Sequence, residues 1–287
     1  MMDFPERLSA LRDRYDIVLC DVWGVIHNGV QSFPEACDAL VQWGANVGPV
    51  VLISNAPRPS TDVVSQLDSL AVPRAAWSGF VTSGDATRAL LSARAPGKVW
   101  RIGPDRDATL YAGLDLDLTA SGEDADFIGC TGLFDDETEI PEDYRERLAV
   151  AAKRGLTFIC ANPDRVVQRG DKLIFCAGAL ADLYESLGGE VVMAGKPFAP
   201  IYDLAIAKAA ELTGKPVDRS RVLCIGDGVI TDVLGAENQK LACLFIAKGI
   251  HGEKAIGPDG LLNPEAVLAL LAADKTGATH AVGDLVW

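Results

Sequence analysis

Apolar residues along this chain follow two rhythms. Short continuous runs rich in β-branched residues, IVLC (17–20), VVLIS (50–54), VVMA (191–194), RVLCIG (221–226) and LACLFIA (241–247), predict buried strands. Between them, apolar positions recur at helical spacing in PEACDALVQWGAN (34–46), PSTDVVSQLDSL (59–70) and APIYDLAIAKAAELTG (199–214). Several of these segments open on Pro, Ser, Thr or Asp and close on Gly or Asn, as helix ends do. Strands without a polar face, alternating with helices, predict a parallel sheet covered on both sides.

The middle of the chain repeats the alternation with its own material. KVWRIG (98–103), ADFIGC (125–130) and LTFICAN (156–162) read as strands, and SGDATRALLSAR (83–94) and PEDYRERLAVAAKRG (141–155) as helices. ASGEDAD (120–126) reads as an exposed loop, and VVQRGDKLIFCAGAL (166–180) as the path back toward the core. With no internal repeat and no low-complexity tract, the expected organisation is a doubly wound, Rossmann-like core built from 1–82 and 190–287. An α/β domain spanning 83–189 is inserted into it.

Composition narrows the function. The 287 residues carry a formal charge of −14, which argues against nucleic acid as a partner, because phosphate backbones are held by clustered Lys and Arg. A small anionic substrate needs only a local cation, which a bound metal supplies. The charged N-terminus has no apolar signal core, and no apolar stretch reaches the roughly 18 residues of a membrane span. Seven cysteines, mostly inside apolar runs and without a CxxC pair, read as reduced core residues of a cytoplasmic protein rather than a zinc site or disulfide framework.

In open α/β sheets, ligands bind at the carboxyl ends of strands. The residues that end the expected core strands are Asp21, Ser54 with Asn55, Lys196 and Asp227. All are polar and all follow a buried run. Together they offer a carboxylate nucleophile, a hydroxyl and an ammonium for phosphoryl oxygens, and acids for a hard cation such as Mg²⁺. The plainer reading of Asp227 and Asp232 is a Gly-Asp turn and a helix start capped by Thr231.

These motifs resemble the haloacid dehalogenase (HAD) superfamily of phosphohydrolases, subclass IIA, the NagD-like and 4-nitrophenyl phosphatase-like enzymes. DVWGV, LISNAPRP, GKP and GDGVITDVLGA stand in the order of the superfamily's four motifs, and SGDAT (83–87) and ANPD (161–164) also match. The resemblance spans nearly the whole chain and implies a HAD core with an inserted C2-type cap. It implies Asp21 as phosphoryl acceptor and metal ligand, with the Trp23 carbonyl and Asp227 as further Mg²⁺ ligands and Asp232 ligating the ion or orienting its waters. Ser54 and Lys196 would bind the phosphoryl group, assisted by the Asn55 backbone. A small phosphorylated metabolite as substrate, and a homodimer paired through the caps, follow from the same resemblance.

One position departs from the pattern. Family phosphatases usually carry a second aspartate where this chain has Trp23, acting as general acid and base, and indole cannot titrate usefully. His27, in VIHNGV, is the nearest alternative acid; the Asn-Gly after it reads as a hairpin tip, where a histidine is ordinarily a solvated side chain. Trp23 itself also reads as a packing residue under that flap. Asp164 and Arg165, in ANPDR, read either as cap residues facing the leaving group or as an Asn-Pro-Asp turn. Besides phosphatase chemistry, two readings stay open: a degenerate phosphate- or nucleotide-binding protein, and cleavage of a non-ester bond such as C–P.

Overall fold

The computed structural model describes residues 2–169 and 172–287. In chain order, its first elements are β1 (Ile17–Cys20), α1 (Pro34–Asn46), β2 (Val50–Ser54), α2 (Ser60–Ser69), β3 (Gly79–Thr82) and α3 (Ser83–Ser92). There follow β4 (Gly97–Ile102), β5 (Leu116–Thr119), β6 (Phe127–Cys130), α4 (Arg145–Lys153), β7 (Thr157–Cys160), β8 (Val166–Arg169), β9 (Lys172–Phe175), α5 (Ala177–Ser186) and β10 (Glu190–Met193). The last are α6 (Ala199–Thr213), β11 (Val222–Gly226), α7 (Leu234–Asn238), β12 (Ala242–Ile246), α8 (Gly252–Ala255), α9 (Pro264–Ala273) and β13 (His280–Val282).

The chain divides into two compact units. Met1–Ser54, Val64–Val81 and Lys196–Trp287 form the first; Asn55–Val63 and Thr82–Gly195 form the second. The first unit holds a six-stranded sheet in the order β13-β12-β11-β1-β2-β3, parallel from β13 to β2. Every residue of β1 and β11 is buried. Because successive residues point to opposite faces, this means both faces are covered, as the unbroken apolar runs predict. α6 starts with Pro200 in its first turn and stops at Gly214, whose φ of +68° suits a left-handed cap. Its buried stripe of Ile201, Tyr202, Ala205 and Ala209 faces the core, and Tyr202 packs so tightly on Gly235 that a Cβ there would lie 2.1 Å from its hydroxyl.

The second unit holds a parallel five-stranded sheet, β10-β7-β6-β4-β5, and the antiparallel pair β8-β9. Alternate residues serve opposite faces. Trp100, Ile102, Ile128, Cys130, Phe158 and Cys160 pack with α4 and α5 through Leu148, Leu180 and Tyr184. Val99, Phe127 and Ile159 pack with Leu91 of α3 and with Tyr111. α3 begins with a reciprocal cap, in which the Thr82 hydroxyl accepts the Asp85 amide and the Asp85 carboxylate accepts the Thr82 amide.

Two expectations change. VVMA becomes β10 on the edge of the second sheet, paired with β7, so that unit runs to Gly195 rather than 189, and takes in Asn55–Val63 as well. The run is apolar, but β10 is only partly buried, as an edge strand is. The segment 166–180 is β8-β9 and the start of α5; its Gly170 and Asp171 lie outside the described residues. Short strands β3, β5 and β13, of three or four residues each, carry too few positions for a periodicity to register.

Core and edge positions of the second sheet should respond differently. Ile128 is fully buried and Leu118 is 52% exposed. Ile128→Ala should destabilise by about 2–5 kcal/mol in denaturant unfolding, while Leu118→Ala should stay within about 0.5 kcal/mol of the native chain.

Candidate active site

Three neighbouring strands of the first sheet end side by side. Asp21 follows β1, Asp227 follows β11 and Ser54 closes β2. The chain runs outward from β1 to β2 and β3, then returns to β11 and runs the other way, so β1 and β11 flank the point where the strand order reverses. That is where open α/β sheets form their ligand crevice. Asp21 is held to this edge by its own amide, which donates to the Ile225 carbonyl at 2.8 Å.

Asp232 arrives from the turn after β11. Val229–Val233 is wound as a short π-helix, a form frequent at functional sites, and the Asp232 carboxylate accepts the Gly228 amide at 3.0 Å. The expected cap at Thr231 is not found: Gly228 is the N-cap and no side chain fills the role. Asp227 accepts the Ile250 amide at 2.8 Å. Glycines make room for these carboxylates. A Cβ at Gly24 would stand 2.2 Å from Asp227 Oδ2, one at Gly249 2.1 Å from the same atom, and one at Gly226 2.2 Å from Asp232 Cγ. Gly24 also has φ +87°, which side chains disfavour.

Asp21, Asp227 and Asp232 each bring an oxygen within 4.8 Å of the others, and all three are buried. Lys196 is buried with them, its Nζ donating to Asp21 Oδ1 at 2.5 Å and Asp232 Oδ1 at 2.6 Å. Lys196 therefore joins the cluster from the loop after an edge strand of the second sheet, not from the end of a core strand.

Electrostatics govern what this cluster can hold. Burial pushes the Asp21 carboxyl well up; Lys196 opposes that shift, and Asp232 and Asp227 add to it. Burial likewise raises Asp227, to about 7, with the Asp232 charge contributing and the Ile250 amide opposing. For Lys196 burial disfavours the ammonium, but the charges of Asp21 and Asp232 outweigh it and raise the group. With all four groups ionised, two negative charges remain unbalanced in a desolvated site, a costly arrangement. A divalent cation removes that cost, and oxygen donors suit a hard one.

Trp23 and His27 form the neighbouring flap. The Gly24 amide donates to the His27 carbonyl at 2.8 Å and the Asn28 amide to the Gln31 carbonyl at 3.1 Å, and Asn28 Oδ1 accepts two amides in the turn. His27 is not the solvated hairpin histidine that the sequence suggests. It is 2% exposed, its Nδ1 accepts the Gly29 amide, and burial lowers its pKa to about 4. Trp23 is not enclosed either: the residue is 51% exposed, and its indole meets His27 edge-on at 5.3 Å and 76° and lies against Gly29.

Asn55, Asp164 and Arg165 belong to the second unit. Asn55 is buried and its Nδ2 donates to Asp164 Oδ1 at 3.1 Å. The Asp164 amide donates to Asn162 Oδ1 at 3.0 Å, so the Asn-Pro-Asp turn and the polar pair coexist. Arg165 makes a two-pronged bond to Asp182 of α5, both contacts at 3.0 Å. Sequence reasoning did not find Gly24, Gly249 or the Ile250 amide, because spacing reveals side-chain chemistry and these act through backbone or through lack of a side chain.

Sequence and structural comparisons fit this geometry. A haloacid dehalogenase-like hydrolase model matches residues 18–117, and a HAD-hydrolase-like model matches 193–281. The crystal structure of a haloacid dehalogenase-like hydrolase from Brucella suis 1330 is 44% identical, covering 99% of this chain and 100% of that one with a TM-score of 0.85. The chain belongs to the haloacid dehalogenase-like hydrolase family. The fold is shared at greater distance by a glycerol phosphate phosphatase from Mycobacterium tuberculosis in complex with magnesium, 24% identical over 84% of this chain and 70% of that one, with a TM-score of 0.66. It is shared too by a p-nitrophenyl phosphatase from Archaeoglobus fulgidus, 19% identical over 94% and 96%, with a TM-score of 0.71. A search of curated proteins by sequence returned no match.

The unbalanced charge predicts a thermal response. Mg²⁺ should raise the melting temperature of the native chain, a ligand at a hundred times its dissociation constant contributing about 2.7 kcal/mol. Asp227→Asn should melt no lower than the native chain in chelator, since a repulsive charge is gone, and should lose most of the Mg²⁺ response. A native chain indifferent to Mg²⁺ would contradict the cluster's assignment.

Proposed function

We propose that this protein is a Mg²⁺-dependent hydrolase of small phosphorylated metabolites that works through an aspartyl-phosphate on Asp21. The observation that carries the reading is the buried set of Asp21, Asp227, Asp232 and Lys196 at the point where the strand order reverses. A carboxylate at the carboxyl end of an interior strand, next to an ammonium, supports this reading: the one can attack phosphorus while the other balances phosphoryl charge. The glycerol phosphate phosphatase and p-nitrophenyl phosphatases that share the fold support phosphate esters as the substrate class.

Asp227, Asp232 and Asp21, with the Trp23 carbonyl, are the residues that would hold Mg²⁺. Bound there, the ion supplies charge neutralisation between the carboxylates and the incoming phosphate. Asp21 is the nucleophile; Lys196 keeps it oriented through the 2.5 Å bond and ties it to Asp232. Ser54, at the end of β2, is assigned to a phosphoryl oxygen. Asn55, Asp164, Arg165 and His27 are assigned to substrate binding, His27 by shaping the flap.

No helix among the described residues is long and apolar enough to cross a membrane. All seven cysteines are buried, which supports their reading as reduced core residues in a cytoplasmic setting. A small-molecule substrate, no nucleic-acid partner and a homodimer complete the proposal.

The test is release of 4-nitrophenol from 4-nitrophenyl phosphate. Turnover with Mg²⁺ is expected to vanish in chelator and in Asp21→Asn. Lys196→Met should lower kcat at least a hundredfold, comparable to loss of a preorganised charge partner. Equal rates in Asp21→Asn and the native chain would sink the nucleophile assignment.

A further inference from the structure

Cleavage of a phosphate ester at Asp21 forms a bond from a carboxylate oxygen to phosphorus. It breaks the bond from phosphorus to the ester oxygen, which departs with the electron pair. An alkoxide leaves slowly unless a proton reaches it in the transition state, help worth roughly 10²–10⁴-fold. A phenolate is a far weaker base, its acid having a pKa of about 10, and can depart as the anion and take a proton from water afterwards.

The groups around Asp21 offer no such proton. Two residues on stands Trp23, whose indole N–H does not titrate. His27 is buried with its Nδ1 occupied by the Gly29 amide. The Lys196 ammonium is directed at Asp21 and Asp232, and Asp227 and Asp232, as acids that would hold Mg²⁺, would be carboxylates with the ion bound. Among the described residues of the first unit, nothing that adjoins Asp21 is placed to protonate a leaving group.

The indole meanwhile has an orientation and an open surface. Its contacts with His27, edge-on at 5.3 Å, and with Gly29 hold it against the flap, yet 51% of the residue remains exposed. Flat rings prefer such a partner in offset or edge-to-face contact.

Resting on the reading of Asp21 as phosphoryl acceptor, we propose that the site selects phosphate esters of planar, acidic alcohols, that is aryl phosphates, and that Trp23 sets this selection. The ring lies against the indole and leaves as a phenolate. Water then attacks phosphorus on Asp21, the bond to the carboxylate breaks, inorganic phosphate departs and the water proton passes to solvent. That second step also lacks a base at position 23, so the aspartyl-phosphate accumulates.

The experiment compares 4-nitrophenyl, phenyl and glycerol phosphates with Mg²⁺ on the native chain, measuring kcat/KM and pre-steady-state release. An aryl-over-alkyl preference of about 10²–10⁴ is expected, with a burst near one nitrophenol per chain. Trp23→Asp should compress that preference by raising glycerol phosphate turnover. Trp23→Leu should raise KM for phenyl phosphate about twofold to tenfold more than it raises KM for glycerol phosphate. Equal native kcat/KM for phenyl and glycerol phosphates would overturn the leaving-group selection with the phosphatase reading intact. A phenyl phosphate KM that rises no more than the glycerol phosphate KM in Trp23→Leu would overturn the ring contact. If folded native protein releases no nitrophenol beyond the Asp21→Asn background, both readings fall together, which separates that failure from the first two.

Discussion

Three carboxylates around one ammonium, all out of water, is the arrangement on which the rest of the site depends. Lys196 reaches two of the three acids, and burial, with the Asp232 charge adding to it, pushes Asp227 up toward neutrality. Buried ion groups of this kind are poor sources of stability. Their retention at the one place where the sheet order reverses makes sense as stored demand for a cation. The surrounding architecture serves that demand: two fully buried strands fix the positions of Asp21 and Asp227, and a π-wound turn delivers Asp232 to the same spot.

Much of this was legible in the sequence. IVLC and VVLIS are strands with the bounds the apolar runs suggest, and α1 and α6 differ by at most one residue from their periodic segments. The acidic pair and the lysine were legible as polar residues that interrupt buried runs. What periodicity could not show was membership. VVMA looks like any core strand, and only pairing with β7 reveals that it is the edge of the other sheet. Exposure at the flap was misjudged for a related reason. Asn-Gly signals a turn, but whether the histidine before it faces inward depends on the Gly29 amide and the Trp23 ring, contacts that no pattern encodes.

Family membership fixes the fold and leaves the specificity to be argued from the residues. The relative from Brucella suis matches along the full length, whereas the phosphatases of known substrate share little beyond the backbone plan. The features from which that specificity is argued are local: an indole two residues after Asp21, and a buried histidine in edge-on contact with it.

The glycines that line the acidic cluster bear on how such a site can change over time. Gly24, Gly226 and Gly249 each leave less than the width of a methyl group beside a carboxylate, so single substitutions at these walls collide with the clustered acids. Variation that spares the acids has to enter elsewhere, and the half-exposed Trp23 on its flap has room for it. In evolutionary terms the cluster is closed to gradual drift. On the proposed reading, new substrates would be reached by changing the indole and its flap, while the acidic cluster is inherited whole.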